Sequence, residues 1–250
     1  MGKLVLVSAL LMVALASSAA ASGVSLNWGT TCWSDGPQQN LLAFACDTNA
    51  GSAVMTLSFA VEQPRWLAGA EILLRGMSSE ATVPSWWQMG QDGRVPGTEC
   101  RSAALTASAE SGAGGSGTCV NLWAMRAQGV PLYGTLAYSD GGNAVELLIT
   151  WFVPPESPVE LIAGTEYVVS QVHIAYDKTV GAGACSGCGS SQAWGLRQIS
   201  LEGPSQFDIL ASVLPGGNQC LWWQSDGGLG CGPPMPARST TWGQVKSLYR

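Results

Sequence analysis

Short apolar runs with a period near two, cut by turn residues, dominate this chain. VSLNWG (24–29), LLAFAC (41–46), AVMTLSFAVE (53–62) and WLAGAEILLRG (66–76) read as strands. SDGPQQN (34–40) and DTNAGS (47–52) read as turns between them. YGTLAYS (133–139) and AVELLITWFV (144–153) flank SDGGN, whose residues tolerate positive φ, and the pattern predicts a hairpin. In 144–153, Val145, Leu147, Ile149, Trp151 and Val153 share one face, while Leu148 and Phe152 lie on the other. That pattern predicts a central strand buried on both sides. EYVVSQVHIAY (166–176) alternates, with Val168, Val172, Ile174 and Tyr176 on one face and Gln171 and His173 on the other. GLRQISLEG (195–203) and QFDILAS (206–212) complete the strands.

Two segments break the period. VPSWWQMG (83–90) fits a helical turn capped by Ser85, and CVNLWAMRAQG (119–129) fits a short helix closed by Gly129. ASAESGAGGSG (107–117) has no apolar period and reads as a loop. The expected fold is all-β: a single antiparallel β-sandwich or jelly-roll-like domain with one or two short helices, stapled by disulfides.

The ends carry different signals. Lys3, the apolar run Leu4–Ala16 and the small residues before Ser22 predict a secretory leader over 1–21. The apolar run is too short to span a bilayer, and no later stretch is long enough. The domain is then expected over 22–231 and a Pro-containing linker over 232–240. A tail follows over 241–250, with Trp242, Val245, Leu248 and Tyr249 on one helical face as a docking or sorting peptide. The expected location is secreted or cell-surface, extracellular or periplasmic.

Charge narrows the partners. Without Lys3, ten basic residues face 17 acidic ones, a poor balance for binding phosphates, so no nucleic-acid partner is expected. Charged residues make up only 11% of the chain, so neutral polar side chains must supply its solubility.

Eight cysteines in an oxidising compartment predict four disulfides: Cys32, Cys46, Cys100, Cys119, Cys185, Cys188, Cys220 and Cys231. Sequence does not choose among the 105 pairings such a set allows. Neighbour pairing, 32–46, 100–119, 185–188 and 220–231, is the simplest expectation. Cys185-x-x-Cys188 lacks the helix that lowers a redox thiol's pKa and the further ligands of a zinc site, so a structural bridge is expected.

The opening NWGTTC…FACDTNAG (27–51) resembles a group of secreted bacterial proteins with a cysteine-rich β domain. The tail TWGQVKSLYR is similar to a short T-W-G-x-x-K-x-x-Y-R ending found on varied secreted proteins of environmental bacteria. These resemblances imply a bacterial, exported, surface-associated protein and bring no catalytic residues.

Catalytic chemistry is thinly represented. His173 is the only histidine, and no G-x-S-x-G elbow accompanies it. Glu71, Glu146, Glu166 and Glu202 fall on strands and could form a hydrolytic pair. Asp47, Asn49 and Gly51 lack the further acids of a calcium loop and read as a turn. No cofactor or metal is expected. The 11 tryptophans, with the doublets Trp86-Trp87 and Trp222-Trp223, suggest sugar stacking if their rings are exposed. The leading expectation is a secreted or cell-surface structural or interaction protein without catalytic activity. A carbohydrate-binding module and a secreted hydrolase with paired carboxylates are the alternatives.

Overall fold

A computed structural model describes residues 22–89, 100–109, 119–126, 133–204, 206–214, 217–225 and 228–231. The expected leader, linker and tail, with Trp242, Val245, Leu248 and Tyr249, lie outside the described residues, as does most of the 107–117 loop.

The strands are β1 (Gly23–Trp28), β2 (Leu41–Leu42), β3 (Ser52–Ala60), β4 (Arg65–Leu67), β5 (Gly69–Ser78), β6 (Leu105–Ser108) and β7 (Cys119–Asn121). They continue with β8 (Tyr133–Gly141), β9 (Ala144–Phe152), β10 (Val159–Leu161), β11 (Glu166–Ala175), β12 (Gln192–Glu202), β13 (Phe207–Leu210) and β14 (Cys220–Trp223). The smaller sheet runs β1-β3-β11-β6, with β7 also on β11. The larger runs β2-β14-β12-β5-β9-β8, with β13 also on β12, and β4 pairs with β10. Nearly all pairs are antiparallel; β7 on β11 and β2 on β14 are parallel. The chain is therefore an all-β sandwich, as its periodicity predicts. One core fills it, contributed by β1, β3 and β11 from one side and by β5, β9, β12 and β14 from the other.

The two long central strands share a device. β11 pairs β3 along one edge, while its other edge is divided between β7 and β6; it bulges between Val168 and Ser170. β12 pairs β5, divides its other edge between β14 and β13, and bulges between Leu196 and Gln198. An extra residue flips the side-chain alternation beyond it. Val168 consequently leaves the face of Val172 and Ile174, where strict alternation places it, and joins Cys32 and Cys119 in a small separate cluster.

The outward face of the smaller sheet is polar yet buried, because residues 29–40 fold over it. Asn27 Nδ2 donates to Thr31 O and Pro37 O, and its Oδ1 accepts from Gln39 N at 2.8 Å. Thr56 Oγ1 donates to Gly29 O at 2.7 Å, and Gln171 Nε2 donates to Thr30 O at 2.9 Å. Glu166 accepts from Ser58 Oγ, Ser34 Oγ and Ser34 N. The covering loop thus supplies partners for Asn27, Thr56, Gln171 and Glu166, and the Cys32–Cys119 bridge ties that loop to β7.

Several local expectations change. The doublet in 83–90 forms a single 3-10 turn, Ser85–Trp87. The helix expected over 119–129 is instead strand β7 followed by a 3-10 turn at Trp123–Met125. Of LLAFAC only Leu41–Leu42 pairs as strand. β9 is central in its sheet but not doubly buried: Leu148 is half-exposed and Phe152 exposed.

The disulfides are Cys32–Cys119, Cys46–Cys188, Cys100–Cys185 and Cys220–Cys231. Only 220–231 joins sequence neighbours. The pairings 32–46, 100–119 and 185–188 are overturned, because strands adjacent in space come from distant parts of the chain. CSGC is not closed on itself: its two thiols anchor one loop to two remote segments.

Candidate binding face

The doublets do not form a sugar platform together. Trp86, Trp87 and Trp223 are fully buried. Trp86 and Trp87 meet edge to face at 4.9 Å, and Trp223 contacts both at 5.3 and 5.2 Å. Trp28, Trp194, Phe44 and Tyr176 extend this aromatic cluster. Ring edges packing on ring faces suit the aromatic quadrupole, and such a cluster is core. Most of its indole N–H groups find acceptors: Trp28 Nε1 donates to Trp222 O, Trp86 Nε1 to Thr179 Oγ1 and Trp223 Nε1 to Cys188 O. Trp222 points outward but is half-buried, donating to Leu229 O at 3.0 Å.

Arg101 seals the cluster. Its guanidinium carbon lies 3.5 Å from the Trp86 ring centroid. It donates to Trp86 O, Ala175 O and Asp177 Oδ1. Burial pulls its pKa down to about 10, with Asp177 pulling the other way. Stacked and hydrogen-bonded on backbone, this cation is a structural keystone.

The remaining candidates are dispersed. His173 is half-buried on the outward face of the smaller sheet, in register with Val54 and Thr106. Asn49 latches a neighbouring turn, its Oδ1 accepting from Thr179 N and Val180 N at 2.7 and 2.9 Å. Among the described residues, no three His, Cys, Asp or Glu side chains gather as a metal site. Glu166 is spent on its serine donors.

Glu71 and Glu202, by contrast, share one face. β5 alternates: Ala70, Ile72 and Leu74 enter the core, while Glu71, Leu73, Arg75 and Met77 face outward and are partly exposed. Glu202 pairs with Gly69, two residues from Glu71, so the two carboxylates are diagonal neighbours across β5 and β12. Burial first, and Glu202 second, push the Glu71 pKa up; burial likewise raises that of Glu202.

Around this pair the sheet exposes a line of aromatic residues. Phe207 pairs with Glu202, Glu202 with Gly69, Gly69 with Phe152, and Phe152 with Tyr133. Directly paired residues project to the same side of a sheet. Phe207, Phe152 and Tyr133 are 53%, 43% and 49% exposed, and the last two rings stack at 5.2 Å and 20°. Gly69 leaves a dip in the line, with Phe152 and Glu202 on either side of it. A second exposed pair adjoins this end of the sheet: Trp66 and Ile162, 53% and 59% exposed, on the outward side of β4 and just after β10. The β12–β13 turn sits on the Trp66 backbone; a Cβ at Gly203 would lie 2.4 Å from Trp66 O. Three exposed aromatic residues in one row of the larger sheet, with Trp66 and Ile162 exposed on the adjoining β4–β10 pair, leave apolar surface of the kind that marks binding sites. Sequence reading singled out none of the five as site residues, although Phe152 already stood on the second face of its strand.

Arg75, Glu146 and Arg197 follow farther along the same outward face. The Arg197 pKa is lowered by burial and by Arg75, with Glu146 opposing.

No family model matches the chain, and no curated protein matches it. Among solved structures, it is similar to the second type II cohesin module from the cellulosomal adaptor ScaA scaffoldin of Acetivibrio cellulolyticus. The TM-score is 0.35 at 7% identity, over 77% of this chain and 90% of that one.

Proposed function

We propose that this protein is an exported, non-catalytic interaction module that binds its partner with the outward face of the larger sheet. The observation that carries this reading is the line Phe207–Glu202–Gly69–Phe152–Tyr133, one register across β13, β12, β5, β9 and β8. Burial elsewhere accounts for most of the tryptophans, so the exposed aromatics are a selected minority. Four disulfides support a location outside the reducing cytoplasm, extracellular or periplasmic. Among the described residues no helix is long and apolar enough to cross a membrane.

The test is retention. The mature protein and a Tyr133→Ala/Phe152→Ala/Phe207→Ala variant are mixed with intact bacterial cells, peptidoglycan sacculi, cellulose and chitin, then pelleted. The wild type pellets with at least one of these, and the variant loses about tenfold in affinity, as expected for removing interface anchors worth roughly 1.4 kcal/mol or more together. Equal pelleting of the two proteins refutes the assignment. Pelleting with cellulose or chitin identifies the narrower carbohydrate-binding form.

The Glu71–Glu202 pair favours a second reading, polysaccharide hydrolysis, since paired carboxyls with raised pKa are its machinery. Release of reducing sugar by the wild type, abolished in Glu71→Gln, establishes that reading in place of the first.

A further inference from the structure

We propose that the outward face of the larger sheet is the docking site of this chain's own C-terminal segment, residues 241–250, bound in cis. The proposal rests on the binding face just described and names one occupant for it.

The face offers apolar surface beyond its aromatic line. Its apolar side chains extend beyond the aromatic line to Leu73, Leu148 and Met77, all on the outward side and only partly exposed. On β9 the outward row is Glu146, Leu148, Thr150 and Phe152, so two apolar side chains stand among polar ones, and nothing described covers them.

The chain leaves the described domain on this same face. Cys231 is bridged to Cys220, which pairs with Gly195. A Cβ on Gly195 would lie 3.0 Å from Cys231 O, so Cys231 rests directly on the outward side of β12. From Gly195 to Glu202 is seven residues along the strand, about 23 Å at ~3.3 Å each. Residues 232–241 span up to about 35 Å when extended. Trp242 can therefore reach the aromatic line without strain.

Charge and apolar pattern match as well. Residues 232–250 contain Arg238, Lys246 and Arg250 and no Asp or Glu. The face offers Glu71 and Glu202 between its aromatic residues. Trp242, Val245, Leu248 and Tyr249 fall on one side of a helix, the apolar complement to Phe207, Phe152 and Tyr133. Arg75, paired with Gly195, and Arg197 lie nearer Cys231 than the two acids do.

Lys246 and Lys178 are the only lysines after residue 21, which makes the test clean. The full exported chain is treated with a zero-length carbodiimide crosslinker and mapped by mass spectrometry. A Lys246–Glu202 or Lys246–Glu71 isopeptide is expected within one chain. It should fall at least fivefold in Trp242→Ala/Tyr249→Ala and, independently, in Phe152→Ala. Mixing light and 15N-labelled chains separates the arms. Hybrid crosslinks mean that a second copy occupies the face, which overturns docking in cis. Crosslinks of Lys246 spread over acids elsewhere, or none at all, also overturn it. In those cases the retention assay still decides whether the face binds something foreign, so the two proposals fail separately.

Discussion

Gly76 shows how tightly single positions are determined. It sits on the inward side of β5, where a Cβ would stand 2.6 Å from Val145 Cγ2 and 3.1 Å from the Trp194 ring. Gly76→Ala should therefore cost about 1–3 kcal/mol, as overpacking a filled core does. Urea denaturation checks this, and an unchanged midpoint would mean that the ring relaxes freely. Glu71 carries a different prediction, because its carboxyl and that of Glu202 are both raised in the folded chain. The folded state thus holds these protons to higher pH than the unfolded state. Stability from this source is fully present below the unfolded carboxylate pKa and is lost as pH rises through the folded values. Glu71→Gln should flatten the decline in Tm from pH 4 to pH 7 and raise Tm at pH 7. A steeper decline in the variant would contradict the assignment. Tryptophan was legible in the sequence as abundant but not as sorted: a doublet in a 3-10 turn and a doublet on a strand read alike, and only packing distinguishes Trp223 from Trp222.

At the scale of elements, most strands were legible, because alternation depends on the chain alone. The 144–153 and 166–176 runs are strands at nearly the bounds read, although the second side of the first is open and Val168 changes face in the second. What escaped was anything decided by a partner in space. The bulge at Val168–Ser170 falls where the neighbour on the other edge changes from β7 to β6, and no local pattern announces it. The disulfides failed for the same reason: cysteine spacing says nothing about which loops meet above the aromatic cluster. Their loop lengths give a quantitative check. Cys46–Cys188 closes 142 residues and Cys220–Cys231 closes 11. On the chain-entropy account, replacing the first pair by serines should cost about 5 kcal/mol and the second about 3 kcal/mol. Non-reducing peptide maps should contain 46–188 and 100–185 fragments and lack a 185–188 bridge. Equal losses from the two replacements would point to local pairing instead.

At the scale of the whole molecule, the two faces of the sandwich are finished differently. The smaller sheet is roofed by its own 29–40 segment, with hydrogen bonds replacing apolar contact. The larger sheet ends in an open aromatic line beside two acids. That asymmetry was invisible to periodicity, which reports how many sides of a strand are apolar but not whether a cover is supplied by the domain, by the tail or by another molecule. It is also why the binding assay and the crosslinking assay address the same face from outside and from within.

The bulges in β11 and β12 have a mechanical consequence. A strand can slide past its neighbour by two residues and keep every side chain on its proper face, which is the cheapest error a sheet can make. Here each long strand carries one unpaired residue lodged where its neighbours change, so sliding would force that residue into a ladder with no room for it. Both strands thus behave as notched rods with a single seat.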